Sequence, residues 1–338
     1  MPEPTPRDQM AQLLTGYWVS QAVYVAAELG LADRLVAGPK TAEELAEVTG
    51  THAPSLYRLL RALASVGVFT ESEDRWFSLT PLGECLRSDV PGSQRATARM
   101  IVGQFYAAWG DLLGSVRTGR PAFDARHGHS FFEHLATHPE QAMVFDDAMT
   151  AFNDRKTTAM LEAYDFSGVG VLADIGGGNG STLVSVLRKY PEMRGIIFDL
   201  PGVIRRAETE VQTAGLSERC RVVGGSFLES VPPGAGAYLL RHILHNWDDE
   251  QAVAILRNVR RAMGEAARLL VVERVIPPGN EPMFGKLMDL TMLVVHGGRE
   301  RTEVEFRSVF QTAGFTLTRV VLTSSDVSVI EGEPQCSV

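Results

Sequence analysis

LADIGGGNGSTL, residues 172–183, places glycine at 176, 177, 178 and 180, between an apolar run and the helix-like TLVSVLRKY. Gly176, Gly178 and Gly180 give the backbone conformations closed to other residues and let it come close to a ligand. Strand, glycine turn and helix in that order open a nucleotide-binding unit of a parallel sheet. The flanking sequence supports such a sheet. VGVLADI, GIIFDL, RCRVVGGS, AYLLRHIL and RLLVVERVI are short β-prone runs separated by helical segments. That alternation predicts a mostly parallel sheet with helices on both faces. TLTRVVLTS and DVSVIEGE lie too close in sequence for a helix between them, so they predict an antiparallel hairpin at the sheet edge.

The turn reads G-x-G-x-G, and Ser181 stands where the dinucleotide fingerprint needs its last glycine. A nucleoside without phosphate, such as S-adenosylmethionine, therefore fits at least as well as a pyrophosphate. Asp199 closes the second strand about 20 residues beyond the turn, where a carboxylate accepts hydrogen bonds from ribose hydroxyls. The competing reading of Asp199 is a helix-capping residue before Pro201.

Upstream, residues 8–38 carry a helical apolar pattern. Thr41 and Glu44 form a capping box, and Pro54 suits the first turn of the next helix. VGVFTE and RWFSLT predict a hairpin around Glu73 and Asp74. Together they spell a winged helix. Its arginines, Arg58, Arg61, Arg75 and Arg87, are outnumbered by Glu43, Glu44, Glu47, Glu71, Glu73, Asp74 and Glu84. That is the wrong sign for tracking phosphates, so packing or dimerisation is expected in place of DNA binding. Residues 93–165 are mostly helical and rich in aromatics. The domains expected are 1–92, a winged-helix unit; 93–165, a helical connector; and 166–338, the sheet domain.

The whole chain of 338 residues carries 32 basic and 41 acidic side chains, net −9, which argues against nucleic acid as main partner. No run of about 18 apolar residues exists, so no membrane partner is expected, and the N-terminus does not read as a signal peptide. Cys85, Cys220 and Cys336 are scattered and odd in number, which suggests a reduced, cytoplasmic setting. His127, His129, His134 and His138 match no zinc spacing, so no metal is expected.

LADIGGGNGSTL, GIIFDLPGVI, VVGGSF, YLLRHILHNWDDEQAVAILRNV, VVERVIPP and GGRERTEVEF occur in an order that resembles the small-molecule O-methyltransferases of the caffeate and bacterial polyketide-tailoring type. The likeness runs from about residue 10 to 330 and includes the winged-helix dimerisation domain. It implies an α/β, Rossmann-like class I methyltransferase domain preceded by a mainly α winged-helix unit. It also implies S-adenosylmethionine as cofactor, with S-adenosylhomocysteine as product. Gly176, Gly178, Asp199, Leu200, Ser226, Phe227 and Arg241 would hold it. The catalytic histidine falls on His245, with Glu273 and Glu300 as its flanking acids. A homodimer and a small aromatic substrate follow from the same likeness. Ser226 replaces an expected Asp, Asn246 follows the histidine where Asp is common, and His296 adds a titratable group beside GGRER.

A pocket for a flat ring should be apolar and aromatic. Phe105, Trp109, Met149, Phe152 and Met292 are candidates, with Asn153, His242, Asp289 and His296 as polar points. Their competing reading is ordinary core. The expected reaction is O-methylation of an aromatic or polyketide-like metabolite. Alternatives are N-methylation, or the same scaffold used for hydroxylation, decarboxylation or ring-forming chemistry, or a ligand-binding winged-helix regulator.

Overall fold

A computed structural model describes residues 4–335; the side chains of Asn153 and Asp154, and Cys336, lie outside the described residues. The chain divides into two compact units. One comprises residues up to 106 together with 139–152, the other 107–138 together with 153 onward. The segment 93–165 is thus shared between them.

The first unit opens with helix α1, Pro6–Glu28, capped by Thr5 and Asp8 in a capping box. The apolar pattern expected to run on to residue 38 is broken at Gly30, whose left-handed φ of 60° starts a separate short helix α2, Leu31–Leu35. Helices α3, Ala42–Thr49, and α4, Ala53–Ser65, follow as the caps predict: the Thr41 side chain accepts the Glu44 N–H, and Pro54 lies in the first turn of α4. Strands β1, Phe69–Glu71, and β2, Phe77–Leu79, pair antiparallel as the wing. Leu31, Leu45, Leu60, Leu63, Phe69 and Phe77 form the buried centre.

The second unit is built on seven strands: β3 Val171–Ile175, β4 Arg194–Asp199, β5 Cys220–Gly224, β6 Ala237–Arg241, β7 Arg268–Glu273, β8 Phe315–Leu322 and β9 Ser328–Pro334. Their spatial order is β5-β4-β3-β6-β7-β9-β8. The first five in sequence run parallel, β9 lies antiparallel to β7, and β8 forms the edge. The central strands are buried on both faces, which is why they read as continuous apolar runs. Tyr238, Leu240 and Val271 face one core, Leu239, Leu270 and Val272 the other. After β3 the chain builds outward through β4 and β5, then returns to the other side of β3 as β6. The switch point therefore lies between the carboxyl ends of β3 and β6, where open sheets of this kind bind ligands. Gly176 follows β3 there, and His242 follows β6.

Candidate active site

The glycine turn leaves β3 with Gly176, Gly178 and Gly180 at φ of 72°, 59° and 82°. The Gly176 N–H donates to the Phe198 carbonyl at 2.7 Å. A Cβ on Gly176 would stand 2.3 Å from Cδ1 of Ile243 and 3.5 Å from the Phe227 ring, whereas one on Gly178 would meet only open space. The left-handed φ favours glycine at 176, where a Cβ would also displace the Ile243 side chain, and Gly178 exposes bare backbone. Asp199 braces this turn. Its Oδ2 accepts the Gly178 N–H at 2.8 Å and its Oδ1 the Leu200 N–H at 2.7 Å. Burial raises its pKa, and those two N–H groups oppose the rise. It caps no helix, since the next one starts only at Ile204. Each oxygen keeps acceptor capacity for another donor.

The Phe227 ring lies beside Gly176 and edge-on to Trp247, and Asn258 fixes its backbone by donating to the Phe227 carbonyl at 2.8 Å. Ser226 accepts the Leu228 N–H at 3.3 Å, closing the local turn. Arg241 leaves β6 on the opposite face. There its Nη1 donates to the hydroxyls of Thr157 and Thr182 at 2.6 and 2.7 Å. It lies near buried Asp174, whose pKa burial pushes up to about 7 against that guanidinium.

His245 sits in a single helical turn, Leu244–Asn246, just past β6. Its Nδ1 lies 3.0 Å from Oε1 of Glu300, and its backbone N–H donates to Oε1 of Glu273 at 3.1 Å. The two acids therefore divide the work: Glu300 orients the ring and Glu273 anchors the residue. Burial pushes Glu300 upward, but His245 and Arg274 outweigh it and hold the carboxyl below its ordinary value. Burial raises Glu273, with His245 opposing.

Sequence reasoning missed the arginines. Arg274 bonds Glu300 at 3.1 Å and Asp326 at 2.7 Å, and Asp326 in turn lies 3.5 Å from Nζ of Lys156. Lys156 is buried, which pulls its pKa down to about 8. Arg301 is fully buried and donates to the carbonyls of Leu244 and Trp247 at 2.9 and 3.0 Å, clamping the turn that carries His245. Gly298 passes so close that a Cβ there would stand 2.2 Å from the His245 carbonyl oxygen. In the sequence, the traces of these contacts were the runs VVERVIPP and GGRER.

Asp289 accepts the Glu300 N–H at 2.8 Å and so fixes the backbone beside that carboxylate. His296 stacks on Phe132 at 5.3 Å and meets Phe131 edge-on at 5.2 Å. Burial, reinforced by His245, lowers its pKa to about 3, so the group expected to titrate beside the substrate stays neutral. His242 adopts a left-handed φ of 52° and brings its ring centroid 5.2 Å from that of His245. Met292 is buried in a π-helical turn, Met292–His296, and Trp109 is partly buried in the same unit. Phe105, Met149 and Phe152 belong to the first unit, and the side chain of Asn153 lies outside the described residues. His134 stacks on His138 at 3.8 Å and on His129 at 5.2 Å. Among the described residues no group of three His, Cys, Asp or Glu is arranged to hold a metal ion.

Residues 109–316 match the O-methyltransferase domain family, and residues 11–89 the O-methyltransferase dimerisation domain. The chain is 47% identical to the phenazine O-methyltransferase PhzM of Lysobacter antibioticus over 325 residues, 96% of this chain and 95% of that one. The solved structure of the mitomycin 7-O-methyltransferase MmcR superposes with a TM-score of 0.92 at 37% identity, covering 97% of each chain. The neocarzinostatin O-methyltransferase NcsB1, solved with S-adenosylmethionine and 2-hydroxy-5-methyl naphthoic acid, gives 0.85 at 38% identity, over 93% of this chain and 95% of its own. With a glycine turn braced by an aspartate, a histidine held by two glutamates and matches across both its parts, the chain belongs to the S-adenosylmethionine-dependent O-methyltransferases that carry an N-terminal dimerisation domain.

Proposed function

We propose that this enzyme transfers a methyl group to a hydroxyl of an aromatic or polyketide-like secondary metabolite, with His245 as general base. The observation that carries the reading is the bond from His245 Nδ1 to ionised Glu300. An ionised carboxylate only accepts, so Nδ1 bears the proton and Nε2 is left as the base. S-adenosylmethionine supplies an electrophilic methyl group when bound. The bare backbone at Gly178 with the Asp199 carboxylate against it fits a nucleoside's sugar. Gly176, Leu200, Ser226 and Phe227 complete that site in our reading. Arg241 enters it only indirectly, by securing the helix Ser181–Lys189 behind the turn through Thr182.

A phenol has a pKa of about 10, so the acceptor arrives protonated and depends on His245. The imidazole takes the proton as the oxygen attacks, a contribution of about 10²–10⁴-fold. The resulting imidazolium is stabilised by Glu300, and Glu300 is kept ionised by Arg274. Holding the reactants in line contributes up to about 7–11 kcal/mol. Trp109, Met292, His296 and His242 are assigned to the acceptor side, and Asp289 acts there through Glu300. Phe105, Met149, Phe152 and Asn153 are assigned as the apolar and amide contributions of the connector. We assign 1–92 to dimerisation, 93–165 to the connector and 166–338 to chemistry. The enzyme works as a homodimer. The free thiols of Cys85 and Cys220 support the cytoplasm as its setting.

Incubation with methyl-labelled cofactor and a panel of hydroxylated aromatics tests the reading. Labelled ether should form, and His245→Ala should lower the rate about 10²–10⁴-fold while cofactor still binds. Cofactor binding without labelled product from any acceptor would assign the scaffold to non-methylating chemistry.

A further inference from the structure

His242 is one of two described residues other than glycine with positive φ. A left-handed conformation is costly for a histidine and persists only where surrounding contacts enforce it. Here they do. The His242 N–H donates to the Val272 carbonyl at 3.2 Å, and its own carbonyl accepts from Nδ2 of Asn246 at 3.0 Å. That second bond needs an amide. An aspartate at 246 could only accept, and would face the carbonyl oxygen with a like charge. Asn246 thus helps to hold the His242 conformation through its main chain.

What the strained turn secures is the position of a ring. The His242 imidazole faces that of His245, 5.2 Å between centroids and tilted by 33°. Both of its nitrogens are buried and have no hydrogen-bond partner among the described residues. Two buried, unpaired nitrogens are expensive unless something pairs with them. Burial, reinforced by Lys156 and His245, holds the ring well below its usual pKa, so it is neutral, with one nitrogen donating and one accepting.

We propose that His242 is a specificity-determining residue that hydrogen-bonds a second polar substituent, on the ring carbon next to the hydroxyl being methylated. His245 serves the reacting oxygen; the facing imidazole serves its neighbour. The substrate class is then a vicinally substituted phenol: a catechol, or a phenol with an adjacent amino, carbonyl or carboxyl group. This rests on the O-methyltransferase reading and narrows it. A neutral imidazole can donate or accept, so it suits any of these neighbours. A lone hydroxyl would leave the His242 nitrogens unpaired in the complex.

The test uses two isomers with the same groups, 2,3-dihydroxynaphthalene and 2,7-dihydroxynaphthalene, each methylated by the full-length enzyme. The ratio of their kcat/KM values is the readout, because a purely structural defect lowers both together. The wild type should prefer the 2,3-isomer about threefold to tenfold, the worth of one hydrogen bond. His242→Asn, which tolerates the left-handed backbone but shortens the reach, should bring the ratio to about one. Asn246→Asp, which keeps the ring but removes its support, should lower the ratio in the same direction and serves if the first variant does not fold. A wild-type ratio near one, or a preference that survives in whichever variants fold, overturns the proposal while leaving the methyltransferase reading intact. Failure of the wild type to methylate any hydroxynaphthalene or simpler phenol would instead sink both.

Discussion

His245 stands at the head of a chain of charges. Glu300 bonds the imidazole, Arg274 keeps Glu300 ionised, Asp326 balances Arg274, and Lys156 lies beyond. Removing a member of a buried chain leaves the next charge uncompensated, which costs more than the pair contributes. Two further histidines, His242 and His296, are held neutral by burial. His296 titrates at about 3 in the folded chain but near its ordinary 6.5 when unfolded. Between those values the unfolded state holds a proton that the folded state lacks, so stability falls as pH drops below about 6.5. His296→Phe should flatten the slope of unfolding free energy against pH between about 4 and 6 by at most ~1.4 kcal/mol per unit. Denaturant titrations across that range check this; an unchanged slope would show that the ring is open to solvent.

Elements meet at this site through glycines with different tasks. Gly178 has room for a side chain and needs only its left-handed φ, so Gly178→Ala should cost about 1–2 kcal/mol of stability. Its larger effect should be on cofactor affinity, where the added methyl covers the exposed backbone. Gly298 is the opposite case. A Cβ there would stand 2.2 Å from the His245 carbonyl oxygen and 2.5 Å from the Trp247 nitrogen, both backbone atoms with no freedom to yield. Gly298→Ala should therefore push the segment carrying Glu300 away from the turn carrying His245. Turnover should fall at least tenfold, with cofactor binding retained and a melting temperature lowered in line with overpacking of about 1–3 kcal/mol. Calorimetry and cofactor titration on the two variants separate the cases, and equal loss of cofactor binding in both would contradict the assignment.

The molecule as a whole pairs a catalytic unit with one whose first helix is unfinished. Met10, Leu13, Leu14, Tyr17 and Trp18 recur at helical spacing along α1 and are all exposed. A stripe of that kind marks a surface meant for a partner. The dimerisation-domain match identifies the partner as a second copy of the chain. Sedimentation should give twice the chain mass of 36.9 kDa, and the double change Leu13→Glu with Leu14→Glu should return it to the monomer value. A monomer in the wild type would refute the assignment. No helix among the described residues is long and apolar enough to cross a membrane.

The sheet was legible in the sequence because parallel strands buried on both faces must be apolar throughout, and because the glycines of residues 176–180 mark a turn between strand and helix by residue type alone. Thr41 with Glu44 marked a helix start for the same reason: short-range hydrogen bonds depend on neighbours in the chain. His245, Glu273 and Glu300 were nameable only through a family likeness, since residues 28 and 55 positions from the histidine have no local reason to meet it. The ion-pair chain through Arg274, the backbone clamp of Arg301, the crossing at Gly298 and the left-handed turn at His242 were decided by tertiary packing alone. Each depends on how closely two distant segments approach, and a one-dimensional pattern does not encode distance.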